Sequence, residues 1–236
     1  MDKSIFDFVL YHPLFSTEDI FAMLEQNGSE FGRSTVYKYL NQMCEQNLIS
    51  RTGRGTYSSK VGRKYDYPIS DTAQKVSKQI KKKFPLVKFQ IWELYQMNEF
   101  VNHLIAKNTI FIDVENMLAE AVFDFLFDKH KHVLYAPSAV EYYKYSAGET
   151  IVVKKLISET PAAEGEFNKA TLEKILVDLF SKGITGSIIP RSEYRAIFED
   201  SFKRYSINTA MMYRYARRRG CEDKIKTFLK EIGVKG

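Results

Sequence analysis

Between positions 34 and 57 the chain reads STVYKYLNQMCEQNLISRTGRGTY, a stretch rich in groups that recognise phosphates and bases. Ser34, Thr35, Tyr37, Lys38, Asn41 and Gln42 supply hydroxyl, ammonium and amide groups. Such groups hydrogen-bond to phosphate oxygens and to base edges. Val36, Leu40 and Met43 repeat at helical spacing and make one apolar stripe. At about 100° per residue, Ser34, Lys38, Asn41 and Gln42 project from the other side. The helix is expected to stop at Asn47. Residues 48–51 then read as a strand, Gly53-Arg54-Gly55 as a turn and 56–58 as the returning strand. A polar-faced helix running into a hairpin with a basic tip predicts a winged helix-turn-helix. Arg51 and Arg54, with Arg63 and Lys64 beyond the hairpin, complete the set expected to touch DNA. The same pattern also occurs in three-helix units that dock proteins.

Two further helices must hold that pair in place. Residues 3–12 carry Ile5, Phe6, Val9 and Leu10 on one side. Ser16 and Asp19 resemble a capping box ahead of Ile20, Phe21 and Leu24, and Gly28 ends that second helix. Charge is divided in the same sense. Residues 1–30 carry a net −5, whereas residues 31–65, with Lys60 among the cations, carry +6. The positive charge thus falls on the third helix and hairpin, where phosphates would lie.

The 236 residues allow a small DNA-binding unit and a second domain with its own core. The overall charge of +6 is too small to define a partner. No apolar run approaches a membrane span, and the start lacks the apolar core of a signal peptide. Cys44 and Cys221 are too few for a disulfide framework. A soluble, cytoplasmic protein of a reducing compartment is expected, without membrane contact.

The expected class is α/β, in two domains. Residues 1–67 form the winged helix and 68–85 a lysine-rich helical linker capped by Asp71. Residues 86–236 form a mixed-sheet α/β domain with a helical C-terminal end. Within it, strands are expected at 87–92, 109–114, 132–135 and 150–154, with helices at 98–105 and 117–127. Further helices follow at 169–181, 192–205, 209–219 and 222–232.

Groups able to catalyse are sparse in that second domain. Asp113-Val114-Glu115 is the best acidic pair, at a strand end, but Met117 stands where a metal-dependent nuclease would carry Lys. His130-Lys131-His132 has no Cys or carboxylate companions. Thr185-Gly186-Ser187 lacks the downstream carboxylates of a nucleotidyltransferase turn. Neither catalysis nor a metal or cofactor is expected. A nuclease-like enzyme using Asp113 and Glu115 is the remaining enzymatic alternative.

Residues 191–219 hold eight Arg or Lys against three acids, and they end in Tyr213-Arg214-Tyr215-Ala216-Arg217-Arg218-Arg219. Arg214, Arg217, Arg218 and Arg219 read either as an auxiliary nucleic-acid surface or as a helix end answering its own dipole. An acidic protein partner is a third reading. The lysine run at 78–83 likewise reads as a solvated face or a DNA contact.

Taken together, these residues resemble the AbiEi family of abortive-infection antitoxins. The N-terminal likeness lies in Ser34 to Leu40, Leu48-Ile49, Arg51, Gly53-Arg54-Gly55 and Tyr57. The C-terminal likeness lies in 111–115, Ala121-Val122-Phe123, Val133-Leu134 with Pro137, Glu193-Tyr194, Ile207-Asn208 and the Tyr215–Arg219 run. The resemblance implies a type IV antitoxin encoded beside a nucleotidyltransferase-like toxin. It further implies a winged helix that represses the shared promoter through operator repeats, and a C-terminal domain that counters the toxin with or without direct contact. The lysine-rich stretch at 75–83 lies outside the likeness, so no operator sequence is implied. A stand-alone winged-helix regulator would carry the same N-terminal residues.

Overall fold

The computed structural model describes residues 3–29, 31–46, 48–59, 64–101 and 103–234. The expected helix stop at Asn47 and two of the expected cations, Lys60 and Arg63, lie outside the described residues.

The first unit contains α1 (Lys3–Tyr11), β1 (Leu14–Ser16), α2 (Thr17–Gln26), α3 (Arg33–Glu45), β2 (Ser50–Gly53) and β3 (Thr56–Ser58). The capping box at α2 is present in full. Asp19 N donates to Ser16 Oγ at 3.1 Å and Ser16 N to Asp19 Oδ2 at 2.7 Å. A cap of this kind is worth about 1 kcal/mol. Ile5, Val9, Ile20, Leu24, Val36, Leu40 and Met43 converge with Phe15, Ile49 and Tyr57 in one core. The three strands pair antiparallel in the order β1-β3-β2. Strand β1 escaped the sequence reading because it is three residues long and follows Pro13.

The rest of the chain is a mixed α/β layer followed by helices. Strands β4 (Phe89–Glu93), β5 (Asn108–Val114), β6 (Val133–Tyr135) and β7 (Glu149–Lys155) line up in the order β4-β5-β7-β6. β4 is antiparallel to β5, and β5, β7 and β6 run parallel. Helices α4 (Asp71–Lys83) and α5 (Ala119–Phe127) cover one face, meeting Ile110, Ile112, Val114, Ile151 and Val153. The other face carries Phe111 and Val152 and is covered by α7 (Leu172–Phe180), α9 (Tyr194–Arg204), α10 (Thr209–Arg218) and α11 (Glu222–Glu231). Alternating residues of β5 therefore enter two separate cores, which is why its central run Ile110-Phe111-Ile112 is apolar on both faces.

Three expectations need correction. Residues 71–83 are not a linker helix, because Ala73, Val76 and Ile80 are buried against the sheet. Its cap is Ser70 rather than Asp71: Ser70 Oγ accepts from Ala73 N at 3.2 Å while Glu93 holds the Ser70 backbone N–H at 2.6 Å. The helix expected at 98–105 is a short 3-10 turn, Leu94–Glu99. Asn98 explains its end, since its amide oxygen accepts from Ile105 N at 2.7 Å and so competes with helix continuation. A further helix, α6 (Ala139–Tyr145), was not anticipated, although Ser138 and Glu141 form a complete capping box. α8 (Thr185–Ile188) is a single turn at the Thr-Gly-Ser segment. Among the described residues, no helix is long and apolar enough to cross a membrane.

Candidate nucleic-acid interface and the buried ion cluster

Helix α3 buries Val36, Leu40 and Met43 completely. Ser34, Tyr37, Lys38, Asn41 and Gln42 are exposed on its other side, with Thr35 half-buried at the margin. The polar row expected to read DNA is therefore continuous and solvent-facing. Arg54 is exposed at the hairpin tip. The tip is folded back onto α2, where Gly55 O accepts from Thr17 N at 2.8 Å. Gly55 has φ +74°, and a Cβ there would lie 3.0 Å from Thr17 Oγ1, so this turn requires glycine. Arg51 is exposed on β2, with its Nε bonded to Gly53 O at 3.3 Å and its guanidinium 6.0 Å over the Tyr57 ring. Lys64, also of the expected set, has a partner within the chain. It pairs with Glu164 at 3.2 Å on the wall of a cleft between the two units.

The hairpin also touches the C-terminal helices. Thr209 Oγ1, at the start of α10, donates to the backbone carbonyl of Thr52 at 2.6 Å, and both residues are buried. α10 thus begins against the hairpin and ends in the arginine run.

Each of those arginines is answered within the chain. Arg217 forks onto Glu222 at 2.7 and 3.0 Å, and this pairing, with Lys226, holds the Glu222 carboxyl down at about 2. Arg218 donates to Ser158, and Arg214 lies 3.8 Å from Glu159. Arg219, the last of the run, differs from these. It turns in to donate to Ser181 Oγ at 2.5 Å and lies 3.6 Å from Asp178. The core tyrosine is Tyr215, whereas Tyr213 is half-buried.

Arg219 joins a cluster that the sequence reading missed. Asp113 of β5 and Lys154 of β7 are register partners near the carboxyl ends of two parallel strands. Lys174 and Asp178 lie one turn apart on α7 above them. Lys174 Nζ is 2.5 Å from Asp113 and 2.9 Å from Asp178, while Lys154 Nζ is 3.4 and 3.1 Å from the same two carboxylates. Tyr215 OH donates to Asp178 at 2.9 Å. Burial alone would raise Asp178, but Lys154, Lys174 and Arg219 together hold its carboxyl well below the ordinary range. Burial, with Asp178 beside it, pushes the Tyr215 hydroxyl up. Lys154 is held above the ordinary lysine value because Asp113 and Asp178 outweigh its desolvation. The signal in the sequence was Lys174 and Asp178 four apart inside the apolar run LEKILVDLF, charges that must pair if that helix is buried.

This arrangement decides what Asp113 can do. Two lysines occupy the space in front of its oxygens, and the Glu115 carboxylate instead accepts from Lys88 N at 3.0 Å. Asp113 and Glu115 are therefore not brought together as a metal-binding pair. His130 is bonded to Gln79 at 2.9 Å and His132 is exposed. Among the described residues, no three His, Cys, Asp or Glu side chains converge on one point.

Residues 35–235 match a family described as a family of unknown function, DUF6577. The chain belongs to this family. The match begins inside α3 and takes in the hairpin, the α/β layer and the helical end, so what defines a DUF6577 protein spans both units. No curated protein matches the chain.

Proposed function

We propose that this DUF6577 protein is a DNA-binding autorepressor and antitoxin of the AbiEi kind, acting in the cytoplasm and without catalytic activity of its own. In this reading residues 3–59 are a winged helix-turn-helix: α3 enters the major groove, and the β2–β3 hairpin reaches the backbone with Arg54. The carrying observation is the exposed row Ser34, Tyr37, Lys38, Asn41 and Gln42, fixed from behind by the fully buried Val36, Leu40 and Met43. Packing of that kind holds the row rigid, as specific base contact requires. The strand order β1-β3-β2 around three helices also suits a winged helix. Arg51 and Arg54 add charge on the hairpin, whereas Lys64 is engaged with Glu164 and is assigned no DNA contact here. The C-terminal unit is the part assigned to countering a nucleotidyltransferase-like toxin, on the resemblance set out above.

Fluorescence anisotropy with the promoter fragment upstream of the gene tests the DNA half. The variant combining Lys38→Ala with Arg54→Ala should lose specific binding while staying folded. Unchanged affinity would reject the assignment of α3 and the hairpin. Growth of cells expressing the adjacent gene, with and without this chain, tests the antitoxin half. Failure to restore growth would leave a stand-alone regulator.

A further inference from the structure

A cleft of about 470 Å³ separates the three-helix unit from the α/β unit. Ser50 and Arg51 of β2 line one side, and Glu173 of α7 with Ser206 and Asn208 lines the other. Lys64 and Glu164 also border it, but they neutralise each other at 3.2 Å. Two charges are left over. Glu173 is only 7 % exposed, and its Oε1 accepts one hydrogen bond, from the Asn208 backbone at 2.8 Å. Among the described residues no cation lies within 4.0 Å of its carboxylate. Arg51, across the cleft, likewise has no carboxylate within 4.0 Å among the described residues. Ser50 Oγ is buried there without a hydrogen-bond partner among the described residues.

Buried carboxylates are ordinarily held by a cation or by several donors, and Glu173 has a single donor among the described residues. The Arg51 guanidinium, bonded through Nε to Gly53 O, keeps its terminal nitrogens for a carboxylate, so the cleft lining carries one negative and one positive group. Interfaces between structural units are also where small-ligand sites concentrate. We propose that the cleft binds a small zwitterion of the α-amino acid class, its ammonium on Glu173 and its carboxylate on Arg51. Ser50 and the Asn208 amide are placed to take the remaining hydrogen bonds. The ligand would tie β2 to α7 and to the start of α10. Its regulatory consequence rests on the DNA-binding reading: whatever factor the ligand imposes on operator affinity, the operator imposes on ligand affinity.

Titration calorimetry of the full chain with each standard amino acid tests this. At least one should bind saturably, and its N-acetyl derivative, which lacks the ammonium, should not. Glu173→Gln keeps the acceptor for Asn208 N but removes the charge, and should weaken binding at least about tenfold. No saturable binding from any amino acid, or unchanged binding by Glu173→Gln, would overturn the proposal. The two readings fail separately. Amino-acid binding without promoter binding would remove the DNA reading and leave the cleft assignment standing, and the reverse result would do the opposite.

Discussion

Thr209 ties the second half of the molecule to the hairpin of the first, donating its hydroxyl to the Thr52 carbonyl at 2.6 Å in a place where both residues are buried. β2 is an edge of its sheet, so the start of α10 covers a strand that would otherwise present open carbonyls. The hairpin is thereby fixed to the helix that carries the arginine run.

Thr209→Val keeps the shape but leaves the Thr52 carbonyl unsatisfied. A loss of about 1–3 kcal/mol is expected. Hydrogen exchange should show faster opening at residues 50–58 than at the α/β sheet. Equal protection of the hairpin in both proteins would mean that the contact does not brace it.

Asn41 and Arg54 should separate specificity from affinity. Asn41→Ala is expected to cost about 1–3 kcal/mol on the operator and far less on random DNA. Arg54→Ala should weaken both, and reduce the salt dependence by about one charge. Anisotropy titrations over a salt series measure both effects, and equal losses on the two DNAs for Asn41→Ala would place that side chain away from the bases.

The ion cluster predicts a pH dependence with a definite sign. Asp178 is depressed in the folded chain, so its contribution is complete above the ordinary Asp value of about 3.9 and is lost as pH falls below it. Lys154 is raised, so its contribution is complete below the ordinary Lys value of about 10.4 and is lost as pH climbs past it. Lys174→Met leaves two buried carboxylates to one lysine and the Arg219 edge, and should cost about 3–5 kcal/mol. Urea unfolding across pH reports this, and Asp178→Asn should flatten the acid limb. An acid limb identical in Asp178→Asn would assign that loss to other carboxylates.

The exposed polar row of α3 was legible from the sequence because it depends on local periodicity alone: Val36, Leu40 and Met43 define an inside, and the outside follows. β5 and β7 were legible for a related reason, through the short apolar runs Ile110-Phe111-Ile112 and Ile151-Val152-Val153 at their centres. The ion cluster was not, because Asp113, Lys154, Lys174 and Arg219 come from four elements and meet only through the parallel register of β5 with β7. The partner of Lys64 was hidden for the same kind of reason. Its sign fits DNA, but Glu164, a hundred residues away, holds it. Arg219 shows the limit of charge patterning most directly. In the run it is one of three equal arginines, yet the α10 register turns it alone toward Asp178.

The outward arginines give the last prediction. Arg217 is anchored on Glu222 and Arg218 on Ser158, so both have partners inside the chain and neither requires an outside anion for stability. Reversing both charges, Arg217→Glu with Arg218→Glu, should leave the fold intact, because Arg217 is solvent-facing and Glu222 can turn to Lys226, already 2.7 Å away. Circular dichroism and the melting profile establish that first. Toxin rescue and promoter binding are then measured on the same variant. Loss of rescue with promoter binding retained assigns the end of α10 to countering the toxin. Loss of promoter binding alone assigns it to DNA, extending the hairpin surface along α10 from Thr209. With both activities retained, the run is a surface that answers its own carboxylates, and the antitoxin function must be sought elsewhere on the α/β unit.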